Sequence, residues 1–126
     1  MLDCLVVDDS RTVRRAARRM LEAQGFSVRE AEDGQQALEA CRAALPSLVL
    51  LDWNMPVMDG ITFLRRAREE FGPDEPPIML CTTESDISRI MTALESGAQE
   101  YIMKPFDAEI LAAKLEVLGL LPDEAA

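Results

Sequence analysis

A chain of 126 residues, 48% of them hydrophobic, carries enough apolar material for one domain with its own core. Its net charge of −10 argues against nonspecific nucleic-acid binding and against acidic membrane surfaces, and no apolar run reaches the length of a membrane span. Histidine is absent, which excludes histidine-based triads, ordinary His-bearing zinc sites and a phosphohistidine-carrier role for this chain.

The chain opens with MLDCLVVDDS, an acid standing where a secretion signal needs base, so a cytosolic home is expected. CLVV (4–7) reads as a buried strand that runs into Asp8 and Asp9. A helix follows, with Val13, Ala16, Ala17, Met20 and Leu21 at helical spacing, Ser10 as N-cap and Gly25 as the stop. SVREA (27–31) is a weaker strand. The next helix runs from about Gly34 to Ala44, turns Ala37, Leu38 and Cys41 inward, and ends before Pro46.

LVLL (48–51) is a third strand, closed by Asp52 and a loop marked by Pro56 and Gly60. A helix over Ile61–Phe71 follows, with Ile61, Leu64, Ala67 and Phe71 on one face. IMLCT (78–82) is the fourth strand. Asp86 or Ser85 caps the helix after it, which places Ile87, Ile90, Met91 and Leu94 together, and Gly97 lies past its end. EYIM (100–103) is the fifth strand, and Asp107 caps a last helix with Ile110, Leu111, Leu115 and Leu118 inward. Cys4 and Cys81 lie in apolar runs and read as small buried hydrophobes; three scattered cysteines form no disulfide framework.

Five strands alternating with five helices define an α/β domain with a parallel sheet covered on both faces. The expected domain spans 1–121, with a loose tail at 122–126 and no output domain. Ligands of such sheets bind beyond the carboxyl ends of the strands. There the sequence places Asp8 and Asp9, Asp52, Thr82 and Lys104.

Any one of these acids alone is an ordinary turn or capping residue. Together, three carboxylates repel unless a cation intervenes, and Lys104 offsets only one charge. A hard divalent ion such as Mg²⁺ suits an all-oxygen pocket and keeps waters for a phosphate-bearing partner. Asp52 can then attack phosphorus as a nucleophile, with Asp9 and Asp52 on the metal and Asp8 just behind. Lys104 and the Thr82 hydroxyl can each take a phosphoryl oxygen of the product.

VVDDS (6–10), LLDWNMPVMDG (50–60), CTTES (81–85) and YIMKPF (101–106) occur in an order and spacing that resembles the receiver domain of two-component response regulators. The resemblance spans essentially the whole chain and is close to the stand-alone, chemotaxis-type members. It implies a flavodoxin-like, doubly wound fold with strand order 2-1-3-4-5. It implies that Asp52 accepts a phosphoryl group from the phosphohistidine of a sensor histidine kinase or phosphotransfer protein. Asp8, Asp9, Asp52 and the backbone carbonyl of Asn54 would hold Mg²⁺, Lys104 would contact the phosphoryl group, and the bond to Pro105 would be cis. Asn54 and Glu84 would tune the lifetime of the phosphate, which such domains both acquire and hydrolyse themselves. Thr82 and Tyr101 would switch together, although spacing alone makes Tyr101 a half-buried ring with a wet hydroxyl. Output would pass to another protein through the face built from about 86 to 118, without direct nucleic-acid contact or membrane insertion.

Three rival functions are weighed against this. A haloacid dehalogenase-type hydrolase wants a second Asp two residues after its nucleophile, where this chain has Asn54. A flavodoxin-like carrier wants a Ser/Thr/Gly phosphate loop after its first strand, where DDSRT presents acids. A degenerate, partner-binding receiver would not need Asp8, Asp9, Asp52, Thr82 and Lys104 all present. Relay of phosphate to a further protein, or storage of it as a sink, stays open. The first helix carries Arg11, Arg14, Arg15, Arg18 and Arg19, read either as a solvated face partly paired with Glu22 or as a docking face for an acidic kinase surface.

Overall fold

The computed structural model describes residues 2–83 and 86–120. The expectations for Glu84, for Ser85 as an alternative cap and for the tail at 122–126 fall outside them. The chain alternates without exception: β1 (Asp3–Val7), α1 (Arg11–Ala23), β2 (Ser27–Ala31), α2 (Gly34–Ala43), β3 (Leu48–Asp52), α3 (Gly60–Phe71), β4 (Ile78–Thr82), α4 (Ile87–Glu95), β5 (Glu100–Met103) and α5 (Ala108–Val117). All strand pairs are parallel, in the order β2-β1-β3-β4-β5.

The apolar runs are continuous because the central strands are covered on both sides. Leu5, Val7, Val49, Leu51, Ile78 and Leu80 face one way, into a core closed by α2, α3 and α4. Cys4, Val6, Leu48, Leu50, Met79, Cys81 and Ile102 face the other way, against Ala17 and Leu21 of α1 and Leu111 and Leu115 of α5. Alternation of side chains along each strand sorts neighbours into the two layers.

Caps set the helix starts. Ser10, Asp33, Asp59 and Asp107 each accept a backbone N–H three residues on, from Val13, Gln36, Thr62 and Ile110. Gly25, with φ 94°, supplies the left-handed residue that lets the chain leave α1.

Three faces differ from the sequence expectation. On α3, Phe63 is fully buried in addition to Ile61, Leu64 and Ala67, while Phe71 is only half-buried. On α4, Ile87, Met91 and Leu94 are exposed, and Ile90 and Ala93 make the contact with the sheet. On α5, Ile110 is exposed, Leu118 is half-buried, and Leu111 and Leu115 carry the burial. Positions 87, 91 and 94 form one helical stripe and 90 and 93 another. Only tertiary packing decides which of the two is covered.

At the edge where the strands begin, Arg68 of α3 ties two connections together. Its guanidinium donates to the carbonyls of Gly97, Glu75 and Pro76 at 2.8–2.9 Å, to Gly72 at 3.4 Å and to the Gln99 amide oxygen at 2.8 Å.

Candidate functional site

Register assembles the site. Val7 pairs with Leu51, Asp52 with Cys81 and Thr82 with Met103. The strand ends are therefore level, and Asp8, Asp52, Thr82 and Lys104 all fall on one rim. Carboxylate oxygens of Asp8, Asp9 and Asp52 lie within 4.8 Å of one another. Lys104 Nζ bridges two of these acids, 3.3 Å from Asp8 Oδ2 and 3.3 Å from Asp52 Oδ1. Asp8 is buried, Asp52 is partly buried and Asp9 is exposed, so the cluster opens to solvent on the Asp9 side.

Burial, and then the negative charge of Asp8, push the Asp52 carboxyl above the usual carboxylate range, against the pull of Lys104. Burial opposes the charge on Lys104, but the carboxylates of Asp52 and Asp8 and the hydrogen bond to Asp52 favour it, and the ammonium is held above the ordinary lysine range. Burial also pushes the Cys81 thiol up to about 12, so it stands beside the site as a neutral group. Three hard oxygen donors around one short opening, balanced by one ammonium, fit a divalent cation such as Mg²⁺ in donor type and charge. Asn54 is exposed and lines the same cavity as Asp9, Asp52, Thr82 and Lys104.

The loop after Asp52 is held close to the strand it leaves. Gly60 N–H donates to the Trp53 carbonyl at 2.8 Å, and a Cβ on Gly60 would collide with the Asp52 carbonyl oxygen. Val57 occupies the left-handed region with φ 67°, a conformation a β-branched residue adopts at a cost. On the other side of the site, the Lys104–Pro105 bond is cis, and Lys104 N–H donates to the Thr82 carbonyl at 2.6 Å.

Of the five side chains the sequence names for the site, the charged groups of Asp8, Asp9, Asp52 and Lys104 cluster directly, and Thr82 lines the same cavity as Asp9, Asp52 and Lys104 without a bond to them. The hydroxyl of Thr82 is engaged elsewhere: it donates to Asp86 Oδ2 at 3.3 Å. Tyr101 is half-buried on β5, on the same sheet face as Thr82, with Lys114 Nζ 4.1 Å from the centre of its ring.

Arg14 escaped the sequence reading. The sequence groups it with the other α1 arginines as a solvated or docking residue, but it is only 7% exposed. Its Nη1 donates to the Asp8 carbonyl at 2.8 Å and its Nε to Glu30 at 3.0 Å. Arg18 binds the other Glu30 oxygen at 2.6 Å and Glu22 at 3.3 Å. The hydrogen bond from Arg18 holds Glu30 below the usual range, with Arg14 adding to it against the cost of burial. Arg14 and Arg18 thus brace the strand ends beneath the acids and are not free for docking. Arg11, Arg15 and Arg19 remain exposed, one helical turn apart. The sequence signal for Arg14 is its place one turn into the helix that follows the acids, among five arginines that look alike.

The profile of the response regulator receiver domain matches residues 4–116, and the chain belongs to that family. It is 42% identical over 116 residues to the chemotaxis protein CheY1 of Helicobacter pylori strain ATCC 700392 / 26695, covering 90% of this chain and 94% of the relative. It is 39% identical over 124 residues to the response regulator MprA of Mycolicibacterium vanbaalenii, where 97% of this chain spans 53% of the relative. Among solved structures, Vibrio cholerae chemotaxis protein CheY4 superposes with a TM-score of 0.85 at 32% identity, over 93% of this chain and 98% of that one.

Proposed function

We propose that this chain is a phosphorylation-driven signalling switch whose acceptor is Asp52. The observation that carries this reading is the convergence of Asp8, Asp9 and Asp52 within 4.8 Å beneath a lysine that bridges two of them. A carboxylate oxygen of Asp52 attacks phosphorus of a phosphohistidine on a sensor kinase or phosphotransfer protein. The new P–O bond forms as the P–N bond breaks, and the departing imidazole keeps the electron pair and takes up a proton.

Asp8, Asp9, Asp52 and the carbonyl of Asn54 would hold Mg²⁺, which when bound supplies positive charge against the phosphoryl oxygens. Lys104 stays charged and shifts from carboxylate to phosphoryl oxygen, and Thr82 supplies a further donor. Water later attacks phosphorus and regenerates the carboxylate, with Asn54 and Glu84 setting the lifetime. The chain catalyses only its own phosphorylation and dephosphorylation. Three buried free cysteines fit the reducing cytoplasm in which this reading places it.

Signal leaves by protein binding on the face of α4, β5 and α5. The exposed apolar residues Ile87, Met91, Leu94 and Ile110 support this, since an uncovered stripe of that kind marks a contact surface. The phosphodonor would dock at α1, where the outward Arg11, Arg15 and Arg19 flank an apolar groove lined by Val13, Ala16, Met20 and Phe106. Onward relay or storage of phosphate would use the same acceptor. A hydrolase is disfavoured, because Asn54 offers no acid at the required place. The test is intact mass after incubation with Mg²⁺ and acetyl phosphate. A single phosphoryl adduct, absent in Asp52→Asn and without Mg²⁺, is expected; an adduct that persists in Asp52→Asn would refute the assignment.

A further inference from the structure

α4 is the one helix among the five described whose N-cap side chain does not cap. Asp86 stands at that position but accepts no backbone N–H of its helix. Its Oδ2 instead accepts the hydroxyls of Thr82 at 3.3 Å and Thr83 at 2.9 Å. One turn on, Arg89 Nη1 lies 3.8 Å from the same oxygen, and its guanidinium sits 5.2 Å over the ring of Trp53, the residue after Asp52. Asp86, Arg89, Trp53 and Thr82 line one cavity with Asp9 and Asp52, about 320 Å³ in volume.

From this geometry we infer that Asp86 is a positioning residue that latches the Thr82 hydroxyl in the resting state and sets how strongly phosphate must pull to switch it. The inference rests on the phosphoacceptor reading of Asp52. A threonine hydroxyl has a single proton to donate. Thr82 therefore cannot serve the Asp86 carboxylate and a phosphoryl oxygen on Asp52 at once. The two anions compete, and whichever wins fixes the position of the last residue of β4.

The competition is reciprocal. When the hydroxyl turns to the phosphoryl group, the Asp86 carboxylate keeps the Thr83 hydroxyl but loses one of its two threonine donors, and is freer to accept an N–H of the first turn of α4, as the other four caps do. Phosphate on Asp52 is thereby coupled to the start of the helix that bears Ile87, Met91 and Leu94.

The experiment uses the full chain with saturating Mg²⁺, titrated with beryllofluoride as the phosphoryl analogue and read by Trp53, the sole tryptophan. Affinity is compared in wild type, Asp86→Ala, Asp86→Asn and Thr82→Val, and in each Asp86 variant combined with Thr82→Val. Removing a hydrogen bond to a charged acceptor should tighten analogue binding about fivefold in Asp86→Ala and about twofold in Asp86→Asn. The gain should vanish in the Thr82→Val background, because the latch acts only through that hydroxyl. Unchanged affinity in both Asp86 variants overturns the latch. A gain that survives Thr82→Val also overturns it, since the effect would then be simple repulsion between Asp86 and the analogue. Should Asp86→Ala fail to fold, Asp86→Asn with its Thr82→Val partner decides the matter alone. Wild type that gives no response to the analogue would sink the phosphoacceptor reading itself, whereas a normal wild-type response with unaltered variants sinks only the latch.

Discussion

Asp52 carries a cost in the metal-free protein. Its carboxyl titrates above the usual range because burial and Asp8 disfavour its charge. For an acid whose folded value is raised, ionisation destabilises the fold: the penalty is absent below the unfolded carboxylate value and complete above the folded one. Without divalent ions, Asp52→Asn should therefore be more stable than wild type at neutral pH, and the difference should fade as pH falls through the carboxylate range. Urea unfolding at stepped pH measures this. Adding Mg²⁺ should reverse the order by stabilising wild type alone. Arg14 sets the opposite case. Arg14→Ala leaves the Asp8 carbonyl and one Glu30 oxygen without their donor and should cost about 2 kcal/mol, with weaker Mg²⁺ binding. Tm and a Mg²⁺ titration check both effects. Charge chemistry made Asp8, Asp9, Asp52 and Lys104 legible in the sequence, because each ends a recognisable strand. Arg14 and Asp86 were not legible in this way. Their roles depend on which neighbour their side chains meet, and spacing along the chain does not carry that.

Strand boundaries were largely readable, since apolar runs are local signals; of the caps named from the sequence, Ser10 and Asp107 make the expected bond and Asp86 does not, while Asp33 and Asp59 cap their helices without having been singled out. The faces of α4 and α5 were not. A helix with apolar residues on two stripes is ambiguous until the sheet chooses between them, and here it covers Ile90 and Ala93 and leaves Ile87, Met91 and Leu94 outside. The loop between β3 and α3 gives a prediction at this scale. Val57 is 83% exposed with φ 67°, so its side chain contributes no packing to offset the left-handed backbone. Val57→Asn should stabilise the protein by about 1 kcal/mol, because Asn tolerates this region. Chemical denaturation reads the change; a neutral or destabilising result would show that Val57 contributes something beyond its backbone.

For the whole molecule, the alternation of strands and helices specified the architecture, and connection rules for parallel sheets left few orders to consider. Surface charge was harder to place from the sequence. Overall acidity hides a local basic stripe at Arg11, Arg15 and Arg19, which form no ion pair among the described residues. Arg15→Glu with Arg19→Glu should slow phosphoryl transfer from the cognate kinase at least tenfold at low salt, while acetyl phosphate labels the variant at the wild-type rate. Equal loss with both donors would show damage to the site and not to docking. Arg14 and Arg18 are unsuited to this test, because reversing them breaks the brace under Asp8.

The Arg68 tie gives the domain two ends of unequal stiffness. All five of its acceptors are uncharged oxygens, so concentrated salt leaves it intact while it weakens surface pairs such as Arg42 with Glu70. Amide protons around Ile78 and Gln99 should consequently exchange slowly at any ionic strength, like a vice gripping the far edge of the sheet. Any adjustment of the domain should then fall at the opposite rim, beside the acids, where no comparable tie joins the loops among the described residues.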